Sequence, residues 1–201
     1  MKYEWKKHEK ELYLPKSEPQ IVTVPNHKFF AIKGKGNPNE AEFSEKIGVL
    51  YSLAYAVRMM PKYGFTPDGY FEYTVYPLEG VWDGADAADK NTFSYTIMIR
   101  QPDFVTDEIV KFAFENTKKK KPHPFLSEAF YCEIEDSLSV QLLHVGDYDN
   151  EPLSFARMNE YMEHNGLVRN TDTHREIYLS DASKTDRDKL KTVLRYCVKR
   201  V

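Results

Sequence analysis

The alternation of apolar and polar positions runs through one scheme of elements and then repeats it. Ile21-Val22-Thr23-Val24 leads through Pro25-Asn26-His27 into Phe29-Phe30-Ala31-Ile32-Lys33-Gly34. Much later, Phe130-Tyr131-Cys132-Glu133-Ile134 leads through Glu135-Asp136-Ser137 into an apolar run over 140–146 that also closes on glycine. Each passage predicts strand, tight turn, strand. A polar loop and a helix follow in both places. Asn37-Pro38-Asn39-Glu40 supplies an N-cap, a proline for the first helical position and a glutamate able to reach back, and Asp149-Asn150-Glu151-Pro152 is its counterpart. The first helical stripe is Phe43, Ile47, Leu50, Ala54 and Val57, stopping near Pro61. The second is Phe155, Met158 and Met162, stopping at Asn165-Gly166. Phe43 and Phe155 keep the same spacing as Gly34 and Gly146, so the two copies are in register.

A pair of strands is expected after each helix. The first pair covers 70–82 and 92–100, joined by the acidic loop Asp83-Gly84-Ala85-Asp86. The second covers 176–179 and 192–198, joined by a polar stretch over 180–189, and Tyr76 and Tyr178 occupy matching places. Between the copies, 105–117 predicts a helix with Val105, Ile109 and Phe112 on one face. The pattern therefore predicts an α+β fold: one domain over 1–201, a first repeat over about 18–104, a connecting helix and linker over 105–124, and a second repeat over about 125–201. A sheet covered by a helix on one face needs a partner for the other. Two such halves are expected to pack with pseudo-two-fold symmetry, antiparallel sheets and a ligand cleft between them.

Composition narrows the function. With 41 % hydrophobic and 29 % charged residues the chain is globular, and its fourteen Tyr and twelve Phe are more aromatic side chains than a core of this size requires. A net charge of −3 argues against nucleic acid and against an anionic membrane. The four lysines at 118–121 read as the solvated C-terminal end of a helix. No run approaches the length of a membrane span and the first residues lack an apolar signal region, so a cytoplasmic location is expected. Cys132 and Cys197 read as buried free thiols, and no Cys or His spacing suggests a metal. No cofactor is expected.

The segments His144-Val145-Gly146-Asp147-Tyr148-Asp149-Asn150-Glu151-Pro152, His174-Arg175-Glu176-Ile177-Tyr178-Leu179-Ser180-Asp181 and Lys191-Thr192-Val193-Leu194-Arg195 resemble the GyrI-like small-molecule-binding family. Pro77-Leu78-Glu79-Gly80-Val81-Trp82 and Met98-Ile99-Arg100-Gln101-Pro102-Asp103-Phe104-Val105 resemble its stand-alone branch. The resemblance implies paired SHS2 modules, each β-α-β-β, with a flat ligand between them. It also implies either the drug-sensing role of relatives fused to DNA-binding domains or the hydrolase role of stand-alone members. The stand-alone members include hydrolases that open the cyclopropane ring of DNA-alkylating natural products of the yatakemycin and duocarmycin type. Asp83 follows Trp82 where a second aromatic is expected in this branch, and Ser137 stands where a turn glycine is expected.

The leading candidate for chemistry is Glu176. It alternates with Tyr178, so both point to one side of a strand, and a carboxylate in an aromatic box is expected to have a raised pKa and to act as acid or base. The family places a cleft glutamate at this motif. The alternative is an exposed edge glutamate paired with Arg175 or Arg195. Glu79 is the second catalytic candidate, on the expectation that Pro77 and Gly80 bend the strand and re-aim its side chain. Tyr178, Trp82, Tyr76, Tyr131, Tyr95 and Phe93 are candidate ligand-binding aromatics, with plain core as the alternative for each, and Glu128 is a third carboxylate. His144 reads as a structural histidine. Three functions compete: a detoxifying hydrolase, a binder that sequesters aromatic small molecules without turnover, and a protein-interaction module such as one acting on gyrase. A closed cleft favours the first two, and a large exposed hydrophobic edge the third.

Overall fold

In the computed structural model the described residues are 2–83 and 90–201, so positions 84–86 of the expected acidic connection lie outside them. In chain order the elements open with α1 (Trp5–His8), α2 (Lys10–Tyr13), β1 (Gln20–Val24) and β2 (His27–Lys35). The long helix α3 (Ala41–Arg58), strands β3 (Leu78–Asp83) and β4 (Ser94–Gln101) and helix α4 (Asp107–Lys120) follow. Next come β5 (Phe130–Ile134), β6 (Ser137–Val145), α5 (Glu151–His164), β7 (Leu167–Arg169), β8 (His174–Tyr178) and β9 (Lys191–Arg200). The fold is α+β and every ladder described below is antiparallel.

The chain forms two compact units that cut across the sequence repeats. One comprises residues 2–5, 27–78 and 90–134; the other comprises 6–26, 79–83 and 135–201. This corrects the expectation of two local hairpins. β1 does not pair with its neighbour β2 but with β6, with Val22 opposite Ser139. β5 likewise leaves β6 and pairs with β2, with Phe29 opposite Cys132. The first exchange has a local cause. A two-residue hairpin takes a primed turn with positive φ at its first loop position, and the ring of Pro25 fixes φ near −65°.

In the first unit, β4, β2 and β5 form a sheet with β2 in the middle; α3 packs on β2 and β4, and α4 packs on α3 and sets Phe114 against Phe30 of β2. Phe30, Ile32, Ile97, Ile99, Leu50 and Leu53 are completely buried, each contributing about 1.5–3 kcal/mol by leaving water. α3 buries Lys46, Val49, Leu50, Leu53, Ala54, Ala56 and Val57, while Phe43 and Ile47 are only half-buried. Asn37 does not cap it: its Oδ1 accepts from the Asn39 amide at 3.0 Å, a local turn that delays the helix to Ala41. Residues 70–77 are not the expected strand. They run without a ladder, held by a single bridge between Tyr73 and Tyr3 and by the Trp5 indole donating to the Val75 carbonyl at 3.1 Å.

In the second unit the strand order is β1-β6-β9-β8-β3, with the short β7 also on β9. Helix α5 covers one face, where Met158 and Met162 pack on Val140, Leu142, Leu194, Tyr196 and Val198. Gly166, at φ 61°, ends this helix as its sequence predicts. The reverse face carries Gln141, Arg175, Arg195 and Glu79, all buried. The Arg195 guanidinium donates to Gln141 Oε1 at 2.7 and 3.0 Å and to the Leu12 carbonyl at 2.8 Å, and Gln141 donates to the Glu11 carbonyl at 2.6 Å. A polar lattice thus ties the segment carrying α2 to this face. Cys132 and Cys197 are free but half-buried rather than buried, and Cys197 donates to the Asp136 carbonyl at 3.0 Å. Among the described residues no helix is long and apolar enough to cross a membrane.

Candidate functional site

Strand alternation in the second unit decides which side chains meet. On β8, His174, Glu176 and Tyr178 share the face covered by α5, while Arg175 and Ile177 share the reverse face. β3 runs beside β8 in unbroken register, with Glu79 opposite Ile177, Gly80 opposite Glu176 and Trp82 opposite His174. Trp82 therefore joins Glu176, and Glu79 does not. The expected bend at Gly80 is absent, regular alternation holds, and Glu79 lies on the reverse face with Arg175 Nη1 at 3.2 Å from its Oε2. Asp136 Oδ1 takes the other arm of that guanidinium at 2.9 Å.

The Trp82 indole Nε1–H donates to the Tyr178 hydroxyl at 2.8 Å, and that hydroxyl donates to Glu176 Oε2 at 2.8 Å. His174 Nε2 lies 2.9 Å from Glu176 Oε1, and the tautomer with its hydrogen on Nε2 supplies a second donor to the carboxylate. Glu176 is 8 % exposed and is held by His174 and Tyr178, not by Arg175 or Arg195. Gly80 makes this approach feasible, since a Cβ there would stand 2.6 Å from Trp82 Nε1 and 3.2 Å from the Tyr178 hydroxyl. Burial and the Glu176 carboxylate hold the Tyr178 phenol well above its ordinary pKa, so it stays a donor.

Helix α5 and the turn before it complete the site. Tyr148 sets its ring edge-on to Tyr178 at 6.2 Å, and burial together with Glu176 pushes its phenol up to about 12. Phe155 lies 4.8 Å from the His174 ring. Glu151, one turn before Phe155, is 7 % exposed, and burial and the charge of Glu176 raise its carboxyl far above the usual carboxylate range. His144 is tied to structure: its Nδ1 meets Ser154 Oγ at 2.9 Å and its Nε2 the Asp147 carbonyl at 3.1 Å. The arrangement offers an oriented carboxylate, a neutral carboxyl and phenols that keep their protons, one of which, Tyr178, is bonded to an indole. Among the described residues no cluster of His, Cys, Asp and Glu could hold a metal ion.

The structure brings together Glu176, Tyr178 and Trp82 of the residues singled out in the sequence. Tyr76, Tyr95, Phe93, Tyr131 and Glu128 belong to the first unit. There Tyr76 lies under the Arg100 guanidinium at 4.5 Å, and the Tyr131 hydroxyl reaches the Val105 carbonyl at 3.3 Å. The Tyr95 ring packs 5.0 Å from Phe43 and covers Gly34. Phe93 is half-buried and its carbonyl accepts from the Gly36 amide at 2.8 Å, while Glu128 pairs with buried Lys46 at 3.2 Å. Sequence reasoning passed over Glu151, Tyr148 and His174. A signal for Glu151 was available, because it heads the stripe Phe155, Met158, Met162 at helical spacing.

The model of the GyrI-like small molecule binding domain matches residues 17–198. A crystal structure described as a hydrolase from Listeria innocua is 38 % identical, with a TM-score of 0.91 over 99 % of this chain and 100 % of that one. An uncharacterized conserved protein from the same organism is 39 % identical, with a TM-score of 0.91 over 98 % of this chain and all of the other. The C-terminal domain of EcmrR shares the fold at 14 % identity, with a TM-score of 0.56 over 92 % of this chain and 98 % of that domain. Among curated proteins none is significantly similar.

Proposed function

The chain belongs to the GyrI-like small-molecule-binding family, and from that premise we propose that it is a hydrolase that binds a flat aromatic molecule and adds water to a strained ring within it. The observation that carries this reading is the buried Glu176 carboxylate, oriented by Tyr178 and His174 beside Trp82. Similarity to a Listeria protein described as a hydrolase supports the reaction class. The substrate class is a DNA-alkylating cyclopropanoid of the yatakemycin type, in which a cyclopropane is fused to a conjugated dienone, and the outcome is detoxification. The water oxygen bonds to the ring CH2, the cyclopropane C–C bond breaks, and its electron pair moves through the conjugated system toward the carbonyl. Glu176 takes the proton from the attacking water.

Incubation with such a cyclopropanoid should give a product heavier by one water in mass spectrometry. Glu176→Gln keeps the shape and a hydrogen-bond acceptor but takes no proton, so turnover should fall on the order of 10²–10⁴-fold. Ligand affinity measured by calorimetry should stay within about threefold of the native protein, since aromatic contact survives the change. A native protein that binds the compound and releases no adduct is a sequestering binder. An equal loss of affinity and turnover in the variant makes Glu176 a recognition residue instead.

A further inference from the structure

We propose that Glu151 is the proton donor of this site, a carboxylic acid kept neutral beside the Glu176 carboxylate and offered to the carbonyl oxygen of the ligand. The proposal rests on the hydrolytic reading above and deepens it. Its first ground is an unsatisfied atom: Glu151 is 7 % exposed and its buried Oε1 has no hydrogen-bond partner among the described residues. A buried carboxyl oxygen left in that state costs free energy unless something bound supplies the missing contact.

Its second ground is position. Glu151 and Phe155 are one helical turn apart on α5 and share a face, and Phe155 lies 4.8 Å from the ring of His174, which bonds to Glu176. Three residues before Glu151, Tyr148 packs against Tyr178, the other group bonded to Glu176. Among the described residues the ionisable groups around Glu151 are Glu176 and Tyr178 from β8 and Asp147, Tyr148 and Asp149 from the segment ahead of the helix. The nearby imidazoles are engaged, His174 with Glu176 and His144 with Ser154 and the Asp147 carbonyl. Among the described residues, a second buried negative charge here meets only repulsion beyond the half-charge of the helix N-terminus, so the proton stays on Glu151. Tyr178 is a poorer donor to a ligand because its hydroxyl proton is already given to Glu176.

The proton count then closes. Water attacks the ring CH2 as Glu176 removes its proton, and the electron pair of the broken C–C bond arrives at the carbonyl oxygen. That oxygen takes the Glu151 proton and becomes a phenol. The site starts and ends with one negative charge on two carboxyls, and return of the proton from Glu176 to Glu151 resets it.

Two measurements on the full chain test this. Infrared difference spectroscopy of ligand-free protein at pH 7 should show the carbonyl stretch of a protonated carboxyl, and Glu151→Gln should remove it. With the cyclopropanoid as substrate, native turnover should fall at alkaline pH as Glu151 loses its proton. In Glu151→Gln that alkaline limb should vanish and the remaining rate should be lower by about 10²-fold. A carboxyl that merely supports the fold would leave the limb in place, and Glu151→Asp, which keeps the acid, should restore it in part. Water-adduct formation by a native protein that lacks the infrared band, or an unchanged alkaline limb in Glu151→Gln, overturns the donor role and leaves the hydrolytic reading standing. The band with no adduct overturns both the hydrolytic reading and the transfer step assigned to Glu151.

Discussion

At the level of single residues, Gly80 is where the site has no room for a side chain. A methyl group there would come within 2.6 Å of Trp82 Nε1, so Gly80→Ala should push the indole off the Tyr178 hydroxyl. We expect a loss of about 1–3 kcal/mol in denaturant unfolding, together with weaker aromatic ligand binding. Glu151 gives a signed pH effect. Its folded pKa is raised, so the native state binds more protons than the unfolded chain between the ordinary carboxylate range and the folded value. The stability it contributes is therefore present in acid and is lost as pH rises through that window. Glu151→Gln should gain stability over the native protein steadily as pH climbs, as read by thermal melts; parallel curves would contradict the assignment. Glu176 and Tyr178 were legible in the sequence because period-two alternation alone puts them side by side. Glu151 was passed over because a glutamate before Pro152 carries an ordinary helix-start signature, although its place at the head of the apolar stripe of α5 already marked it as inward-facing.

At the level of elements, periodicity located α3, α4, α5 and β9 within a few residues but said nothing of partners. Ile21 to Val24 reads as half of a hairpin, yet its ladder is with β6, and only the backbone constraint of Pro25 hints at this. Residues 70–77 mislead for a different reason: aromatics such as Tyr70, Phe71 and Tyr73 have high strand propensity but pack here as a cluster with Phe104. The turn into β6 holds Ser137 at φ 49°, the left-handed region, where a glycine was expected. Ser137→Gly should be tolerated, whereas Ser137→Val should cost about 1–2 kcal/mol in chemical denaturation because a branched Cβ resists that conformation. On the reverse face, Arg195 joins β9, β6 and the segment carrying α2. Arg195→Met should destabilise by about 3–5 kcal/mol, since it strips donors from Gln141 Oε1 and the Leu12 carbonyl in a dry setting.

At the level of the whole molecule, each compact unit draws residues from both copies of the pattern read in the sequence. The opening strand of each copy serves the compact unit built mainly from the other. Deleting residues 1–26 should therefore damage the unit that carries Glu176, although that residue lies far along the chain. The deletion removes β1, whose Val22 and Val24 are 2 % exposed, and strips the lattice around Arg195. Hydrogen exchange at the β6 amides should rise to near-unprotected values, while intact β6 protection would show that β1 is dispensable.

The exchanged strands also set an order of events during synthesis. β1 leaves the ribosome early, yet the strand it pairs with begins only at Ser137, roughly a hundred residues later. At several residues per second this is a wait on the order of ten seconds. In that interval an apolar ribbon, Ile21-Val22-Thr23-Val24, has its eventual neighbour still untranslated. The glutamates and lysines crowded into residues 4–18 lie beside it as charged flanks that discourage pairing with another nascent chain. The same architecture makes ribosome stalling between these strands hazardous, because a truncated product would present that ribbon to whatever strand it meets first.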